Sequence, residues 1–316
     1  ITILAMEEEG IFKVENLSKY FGKKRVLNNI SLSIPKGSYY GIIGLSGSGK
    51  TTLLNILIGF WKQTSGKVFF DGKQVKGNKT VLHSSIGFAT QSISVYPLLT
   101  VNENLAYFAR LYSMKEDSIK KRAKALLDLM DLTDAGNLLA KELSTGMLRR
   151  LDIACSLIHN PKVLILDEPT EDLDPVLRKE MLALIKKIND QGKTIIMTSH
   201  MLDEVEVVCS KIAIIHNGEI IEKGSPDELK DRYSKNEEIH LTTSPGNYEA
   251  ILKKMGKMDI TNIVMKRNKM VLYTPHAEKV LKHLMGIIEG SKEKIISLKV
   301  HKPTMEEVFE YITKRH

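Results

Sequence analysis

Apolar residues along this chain fall either in short strand-like runs or in longer stripes at helical spacing, and the two kinds alternate. Residues 11–14 and 30–34 alternate apolar with polar, as half-buried strands do, and Pro35-Lys36-Gly37 ends the second. Residues 40–43, 163–166 and 212–215 are continuous apolar runs, and 85–90 and 194–198 are nearly so. Runs of that kind suit strands buried on both faces. Residues 66–72 give a further strand and turn, and Asn217-Gly218 joins 212–215 to 219–221 as a hairpin.

The helices carry their own signals. Residues 53–58 begin one that stops at Gly59. Thr100 and Glu103 have capping-box spacing and open a helix with Leu105, Phe108, Leu111 and Tyr112 as its stripe. Residues 116–130 follow with Ala123, Leu126, Leu127 and Met130, then a long helix with Leu148, Leu151, Cys155 and Ile158 that Asn160-Pro161 stops. Asp174 caps the next helix, Pro175 is its first residue, and Gly192 closes it. Strands alternating with helices predict a parallel sheet covered on both faces. Residues 92–160 form a helical block inserted between its strands.

Beyond Gly224-Ser225-Pro226 the pattern changes. Strands at 239–243, 260–266, 270–274 and 295–300 and helices at 248–255 and 276–289 give the order βαββαβ, that of a small ferredoxin-like α+β unit. Arg267-Asn268 supplies a hairpin turn within it. Thr304 and Glu307 make a second capping box, before a last helix with Val308, Phe309 and Ile312. No repeat, low-complexity tract or chemical constellation is found in this part. The expected division is residues 1–6 as a non-native or disordered start (Met6 a candidate first residue), a main domain over 7–226, and an accessory domain over 227–316.

Composition narrows the picture modestly. With 316 residues, 42% apolar and 27% charged, the chain has the makeup of a globular protein of two domains. No apolar run approaches the roughly 18–20 residues that span a bilayer, and the acidic Glu7-Glu8-Glu9 argues against a secretory leader. Cys155 and Cys209 fall in predicted helices without metal-ligand spacing, so both read as buried free thiols. Of the net +8, residues 235–316 contribute +5, from 15 Lys/Arg against 10 Asp/Glu. Both signs are interspersed, which points to a solvated surface before any phosphate-backbone binder.

The chemistry starts at Gly44-Leu45-Ser46-Gly47-Ser48-Gly49-Lys50-Thr51-Thr52, between a predicted strand and a predicted helix. Glycines permit positive φ and close approach to an anion. Consecutive N–H groups at a helix N-terminus then form a nest for phosphate. Lys50 would add charge at the β- and γ-phosphates, and the Thr51 hydroxyl would hold Mg²⁺. A flexible Gly/Ser turn explains the glycines but not Lys-Thr at that spacing.

Three other strand ends carry polar residues: Gln91, Asp167-Glu168 and His200. Ligands of open parallel sheets sit at such ends. Asp167 suits Mg²⁺ opposite Thr51, with Gln91 as a further ligand. Glu168 can orient and deprotonate an attacking water. His200 can bond a γ-phosphate or fix that water. Taken singly, Gln91 is as well read as a surface amide and His200 better read as a structural histidine, whereas Pro169 and the loop at Asp172 argue against Asp167-Glu168 being only a helix-start cap. Tyr20-Phe21-Gly22 offers two aromatics beside a turn, one of which could stack on a purine ring.

These residues resemble the ATP-binding-cassette ATPases over about residues 10–226. GLSGSGKTT resembles the Walker A motif and VLILDE the Walker B motif, with Glu168 its catalytic carboxylate. Gln91 matches the Q-loop, Leu143 to Met147 the signature, Glu171-Asp172-Leu173-Asp174 the D-loop, and His200 the switch histidine. Phe21 stands where the family has its adenine-stacking aromatic, with Tyr20 beside it. The resemblance implies that Gly44 through Thr52 with Lys50 bind ATP, that Asp174 belongs to the nucleotide-binding set, and that Ser144, Gly146 and Met147 contact ATP from a second subunit. The implied fold is an α/β P-loop NTPase, RecA-like core with an N-terminal antiparallel β subdomain and an inserted helical subdomain.

One departure stands out: LSTGM replaces LSGGQ, with Thr145 for glycine and Met147 for glutamine. A Ser-x-Gly-Met version, with Thr304-Met305-Glu306-Glu307-Val308-Phe309 after Pro303, resembles the subgroup serving drug, antibiotic and sodium export. The implied function is an ATPase subunit that drives export through a separate membrane permease by head-to-tail dimerisation with a second copy or a paralogue. ATP and Mg²⁺ are the implied cofactors and the cytoplasmic membrane face the implied location; no nucleic acid partner is expected. The competing readings are a soluble cassette ATPase acting on nucleic acid or ribosomes, and a regulatory module that binds ATP without hydrolysing it. Relatives of the first kind carry two cassettes or a long coiled coil, and intact Glu168 and His200 argue against the second.

Overall fold

The computed structural model describes residues 10–77, 79–233, 237–256, 258–266, 269–301 and 304–313. The expected start at 1–6, the Arg267-Asn268 turn and Pro303 lie outside them. The chain parts into two compact units between Ser225 and Pro226.

In chain order the first unit comprises β1 (Gly10–Phe21), β2 (Lys24–Pro35), β3 (Tyr39–Ile43), α1 (Lys50–Leu57), β4 (Ser65–Phe70), β5 (Lys73–Gln74), α2 (Thr80–Ser85) and β6 (Ile86–Ala89). It continues through α3 (Val101–Leu111), α4 (Glu116–Met130), α5 (Thr145–Leu157), β7 (Val163–Asp167), α6 (Pro175–Asp190), β8 (Thr194–Ser199), α7 (Leu202–Val208), β9 (Lys211–His216) and β10 (Glu219–Gly224).

The alternating strands β1 and β2 pair antiparallel and join β4 and β5 in a sheet of order β2-β1-β4-β5. Its inward side chains, among them Phe12, Leu17, Leu27, Ile30 and Ile34, merge with those of a second sheet into one core. That second sheet runs β10-β9-β3-β8-β7-β6, parallel except for β10. Every residue of β3, β7 and β8 is buried, as their continuous apolar sequences require. Because β8 lies between β3 and β7, with Ile43 opposite Ser199 and Asp167 opposite Thr198, three strand ends stop side by side.

The helical insertion follows the sequence closely but not in every face. The Thr100–Glu103 capping box forms, with Thr100 N donating to Glu103 Oε2 at 2.8 Å and Glu103 N to Thr100 Oγ1 at 3.2 Å. Helix α4 buries Ala123, Leu126, Leu127 and Met130 as expected, with Ile119 added. On α3, however, the buried face is Val101, Asn104, Leu105 and Ala109, while Leu111 is 62% exposed. The apolar stripe misses that face because a polar residue completes it. Asn104 is fully buried; its Oδ1 accepts from Tyr96 N at 2.8 Å, and its amide donates to the carbonyls of Tyr96, Leu99 and Thr100. The short helices α2 and α7 lack the length for a readable stripe. Cys155 is buried within α5, and Cys209 is buried directly after α7 rather than inside it.

The second unit comprises α8 (Pro226–Tyr233), β11 (Glu237–Ser244), α9 (Tyr248–Met255), β12 (Asn262–Lys266), β13 (Lys269–Thr274), α10 (Ala277–Glu289), β14 (Lys294–His301) and α11 (Met305–Thr313). Its sheet is antiparallel in the order β12-β13-β11-β14. Helices α9 and α10 pack on one face of it through Ile251, Val280 and Leu284 against Ile239, Leu241, Met270 and Leu272. This is the ferredoxin-like arrangement that the order βαββαβ predicts. Helix α8 precedes it, and the Thr304–Glu307 capping box opens α11.

Asn104 gives the insertion a checkable anchor. Removing a buried partner strands a polar group at a cost of about 1–3 kcal/mol each. We expect Asn104→Ala to lower the urea-unfolding free energy by about 3 kcal/mol. A loss below about 1 kcal/mol would show that the loop at residues 96–100 stands without it.

Candidate active site

The glycine loop is shaped by contacts that exclude side chains. A Cβ on Gly44 would lie 2.4 Å from Ile215 O and 2.5 Å from Ser48 Oγ. Gly49 has φ +108°, and a Cβ there would meet Leu27 Cδ2 at 2.7 Å. The loop therefore turns tightly from β3 into α1, whose first residue is Lys50. That side chain is buried and folds back over the loop. Its Nζ donates to Gly44 O at 2.9 Å and Leu45 O at 3.3 Å, and lies 3.1 Å from Glu168 Oε1. Above the loop opens a cleft of about 400 Å³. Leu45, Ser46, Gly47, Gly49, Lys50, Thr51 and Thr52 line it, together with Gln91, Glu168, Glu171 and His200. Ser48 is buried beneath.

Thr198, at the end of β8, ties this cleft together. Its hydroxyl donates to Asp167 Oδ1 at 2.5 Å and accepts from Glu168 N at 3.0 Å. Asp167 is itself buried. The backbone turns sharply after it, and Glu168 has φ +50°, a conformation that costs a residue with a side chain about 1–3 kcal/mol. The turn aims the Glu168 carboxylate into the cleft, where it meets Lys50 on one oxygen and His200 Nδ1 on the other. One turn of chain further, the buried Glu204 accepts from Thr170 Oγ1 at 2.7 Å and lies 3.1 Å from Arg178, outside good hydrogen-bond alignment. Burial pushes the Glu204 carboxyl up despite these partners.

Gln91 enters from the end of β6, and its amide donates to Glu171. Glu168, Glu171 and His200 bring ligand atoms within 4.8 Å of one another. The backbone under Gln91 is gripped by Arg149 of α5, which donates to Thr90 O at 3.0 Å and Gln91 O at 2.8 Å. Asp152, one turn further, accepts from Ser94 N at 3.0 Å. Burial pushes its carboxyl up to about 6, against the opposing pull of Ser94 N and Arg149.

The remaining sequence candidates lie elsewhere than the cleft lining. Phe21 packs edge-on against Trp61 at 5.0 Å between centroids, with Lys19 Nζ 4.6 Å from its ring centre. Tyr20 is 41% exposed and is held through its backbone by Thr64 Oγ1. Ser144 is the N-cap of α5, accepting from Met147 N at 3.3 Å, and Gly146 packs against Leu177. Asp174 caps α6 through Val176 N and Leu177 N, as its position before Pro175 predicts.

Comparison with known proteins agrees with this geometry. The profile of the ABC transporter family matches residues 27–171, and that of the C-terminal domain of DrrA1-3-like ATP-binding proteins matches residues 224–311. The linearmycin resistance ATP-binding protein LnrL of Bacillus subtilis is 34% identical over 308 residues, covering 96% of this chain and 99% of that one. The chain belongs to the ATP-binding-cassette transporter family. Daunorubicin resistance ATP-binding protein DrrA3 of Streptomyces coeruleorubidus is 29% identical, covering 95% of each chain. Among solved structures, CbiO1 of Clostridium perfringens, part of the ABC transporter complex CbiONQ, superposes with TM-score 0.67 at 31% identity, over 70% of this chain and 91% of that one. A dimeric, post-hydrolysis structure of the cassette MJ0796 with ADP and Pi has TM-score 0.61 at 29% identity, over 68% and 98% of the two chains.

This cassette is an ATP-binding, ATP-hydrolysing subunit of the export and resistance group, built on the expected P-loop α/β fold. The motif residues of β3, β6, β7 and β8 converge, whereas Thr198, Arg149 and Asp152 carry roles that no motif singled out, and Glu171, matched only as part of the D-loop, lines the cleft beside Gln91. Thr198 had one signal, its place at the end of the apolar run 194–198, two residues before His200. Misplacing a catalytic group by about 1 Å can cost on the order of 10²-fold in rate. Thr198→Val, which keeps the volume and removes the bridge, should therefore lower ATPase kcat about 10–100-fold. A kcat within twofold of the parent in a steady-state phosphate-release assay would remove Thr198 from the account.

Proposed function

We propose that the chain drives export by a separate membrane permease, closing head-to-tail on a second ATPase subunit so that each cleft is completed by the other's Ser144-Thr145-Gly146-Met147. The observation that carries this reading is the composition of the cleft. Loop, Lys50, Gln91, Glu168 and His200 all belong to one side of a phosphate, while the N-terminus of α5 is not among the lining residues. The opposite side of the phosphate then requires donors from another chain. The dimeric cassette among the structural neighbours supports such pairing.

ATP enters with its phosphates over the loop N–H groups, where they compete for the Lys50 donors now on Gly44 O, Leu45 O and Glu168. The Thr51 hydroxyl, the Gln91 amide oxygen and the Asp167 carboxylate, fixed by Thr198, form an all-oxygen set of the kind that suits Mg²⁺. Bound there, the ion would neutralise charge on the β- and γ-phosphates. Glu168 takes the proton of the attacking water, and His200, bonded to it, holds it in place. Ser144 still offers a hydroxyl and a helix N-terminus although Met147 lacks the amide that the family pattern has there. Phe21 or Tyr20 stacks on the adenine.

Export by a permease is supported by two further features. Relatives are named for resistance to linearmycin and daunorubicin. The helical insertion also exposes Tyr96, Leu98, Tyr107 and Leu111, and the rings of Tyr96 and Tyr107 meet edge-on at 4.7 Å, an apolar patch of the kind that marks interaction sites. Among the described residues no helix is long and apolar enough to cross a membrane. We place the subunit at the cytoplasmic face, held by the permease through that patch.

A tagged Glu168→Gln chain tests the reading. It should bind ATP, hydrolyse it roughly 10²–10⁴-fold more slowly, elute as a dimer with ATP, and retain a polytopic membrane protein from its native membranes. Parental turnover would refute the role of Glu168. Retention of ribosomes or DNA instead of a membrane protein would overturn the transport reading.

A further inference from the structure

Arg149 and Asp152 stand one turn apart on α5, and both are almost wholly buried, at 3% and 2% exposure. Burying ions costs several kcal/mol apiece unless each is well partnered, and apolar residues often replace such pairs without loss of stability. Packing alone gives little reason for this pair. Their partners are not the core but one stretch of backbone, residues 90–94. Arg149 donates to the carbonyls of Thr90 and Gln91, Asp152 accepts from Ser94 N, and the two side chains lie 3.9 Å apart. A single turn of α5 thus holds both ends of the segment that carries Gln91. The next residue, Arg150, does something different: it pairs at the surface with Asp131 and Glu180.

The same helix begins at Ser144. Arg149 lies five residues, or about 7 Å, further along it. An α-helix moves as a rod over that distance, so whatever displaces the Ser144 end displaces the Arg149 guanidinium and the two carbonyls it holds. The planar fork of arginine fixes direction as well as distance.

We propose that Arg149 is a positioning residue that couples the two nucleotide sites of the paired ATPase. When the Ser144 end of α5 takes the phosphates of the ATP held by the partner copy, Arg149 resets the Thr90–Gln91 backbone and so seats Gln91 in its own cleft. Each site is then armed by occupancy of the other, and hydrolysis is cooperative in ATP. The proposal rests on the head-to-tail pairing inferred above.

The test is steady-state ATPase against ATP concentration for the full chain, with ATP affinity measured separately without Mg²⁺. Arg149→Lys keeps the charge beside Asp152 but loses the fork. It should lower kcat on the order of 10²-fold, bring the Hill coefficient from above 1 to 1, and leave ATP affinity and the unfolding transition unchanged. Unchanged kcat and Hill coefficient would overturn the proposal, as would lost ATP affinity, which marks a structural role. Should Arg149→Lys fail to fold, the double variant Arg149→Gln, Asp152→Asn removes both buried charges and must show the same loss of cooperativity. A parent with a Hill coefficient of 1, together with a monomeric Glu168→Gln chain in ATP, refutes the pairing instead.

Discussion

The cassette is organised by one constraint: three short parallel strands, β3, β7 and β8, are buried on both faces. Strands so covered cannot present polar side chains along their length, so chemistry is confined to where they stop. Hydrogen-bond register then decides which ends meet. Pairing Asp167 with Thr198 and Ile43 with Ser199 sets the hydroxyl of Thr198 between the glycine loop and the acidic pair. A slip of one residue in β8 would turn that hydroxyl to the other face.

The site is consequently a set of mutual restraints. Glu168 tolerates a left-handed backbone because its N–H is anchored on Thr198 and its carboxylate lies between Lys50 and His200. Lys50 is buried without cost from an unpaired charge because two loop carbonyls and Glu168 receive its protons. The helical insertion contributes at a distance, since α5 holds the backbone beneath Gln91 and, in the proposed pair, offers its Ser144 end to a second chain.

Much of this was legible in the sequence, where local chemistry and global fold agree. Continuous apolar runs located the buried strands, the apolar run 53–58 located α1, which starts three residues earlier at Lys50, and Thr100, Asp174 and Thr304 marked helix starts that form as capped. What escaped depends on tertiary partners. Asn104 lies outside the apolar stripe of α3, yet it completes the buried face of that helix by bonding four backbone groups. Arg149 and Asp152 lie outside the apolar stripe of α5 and belong to no motif, yet they are buried because a distant loop offers two carbonyls and an N–H to them. Phe21, read as a ring for adenine, has Trp61 against it, a neighbour forty residues on that no local pattern supplies.

The central claim is that one chain holds only half of a working site. Mixing two inactive chains tests it directly: Lys50→Ala, which spoils the loop, and Ser144→Arg, which blocks the signature end of α5. In a head-to-tail pair of one of each, one cleft keeps both an intact loop and an intact Ser144. ATP hydrolysis should therefore rise above that of either protein alone when the two are combined, at a rate well below the parent's because the partner cleft holds no ATP. If the mixture stays as inactive as either protein alone, although mixed dimers form, each site is complete within its own chain and the account is wrong.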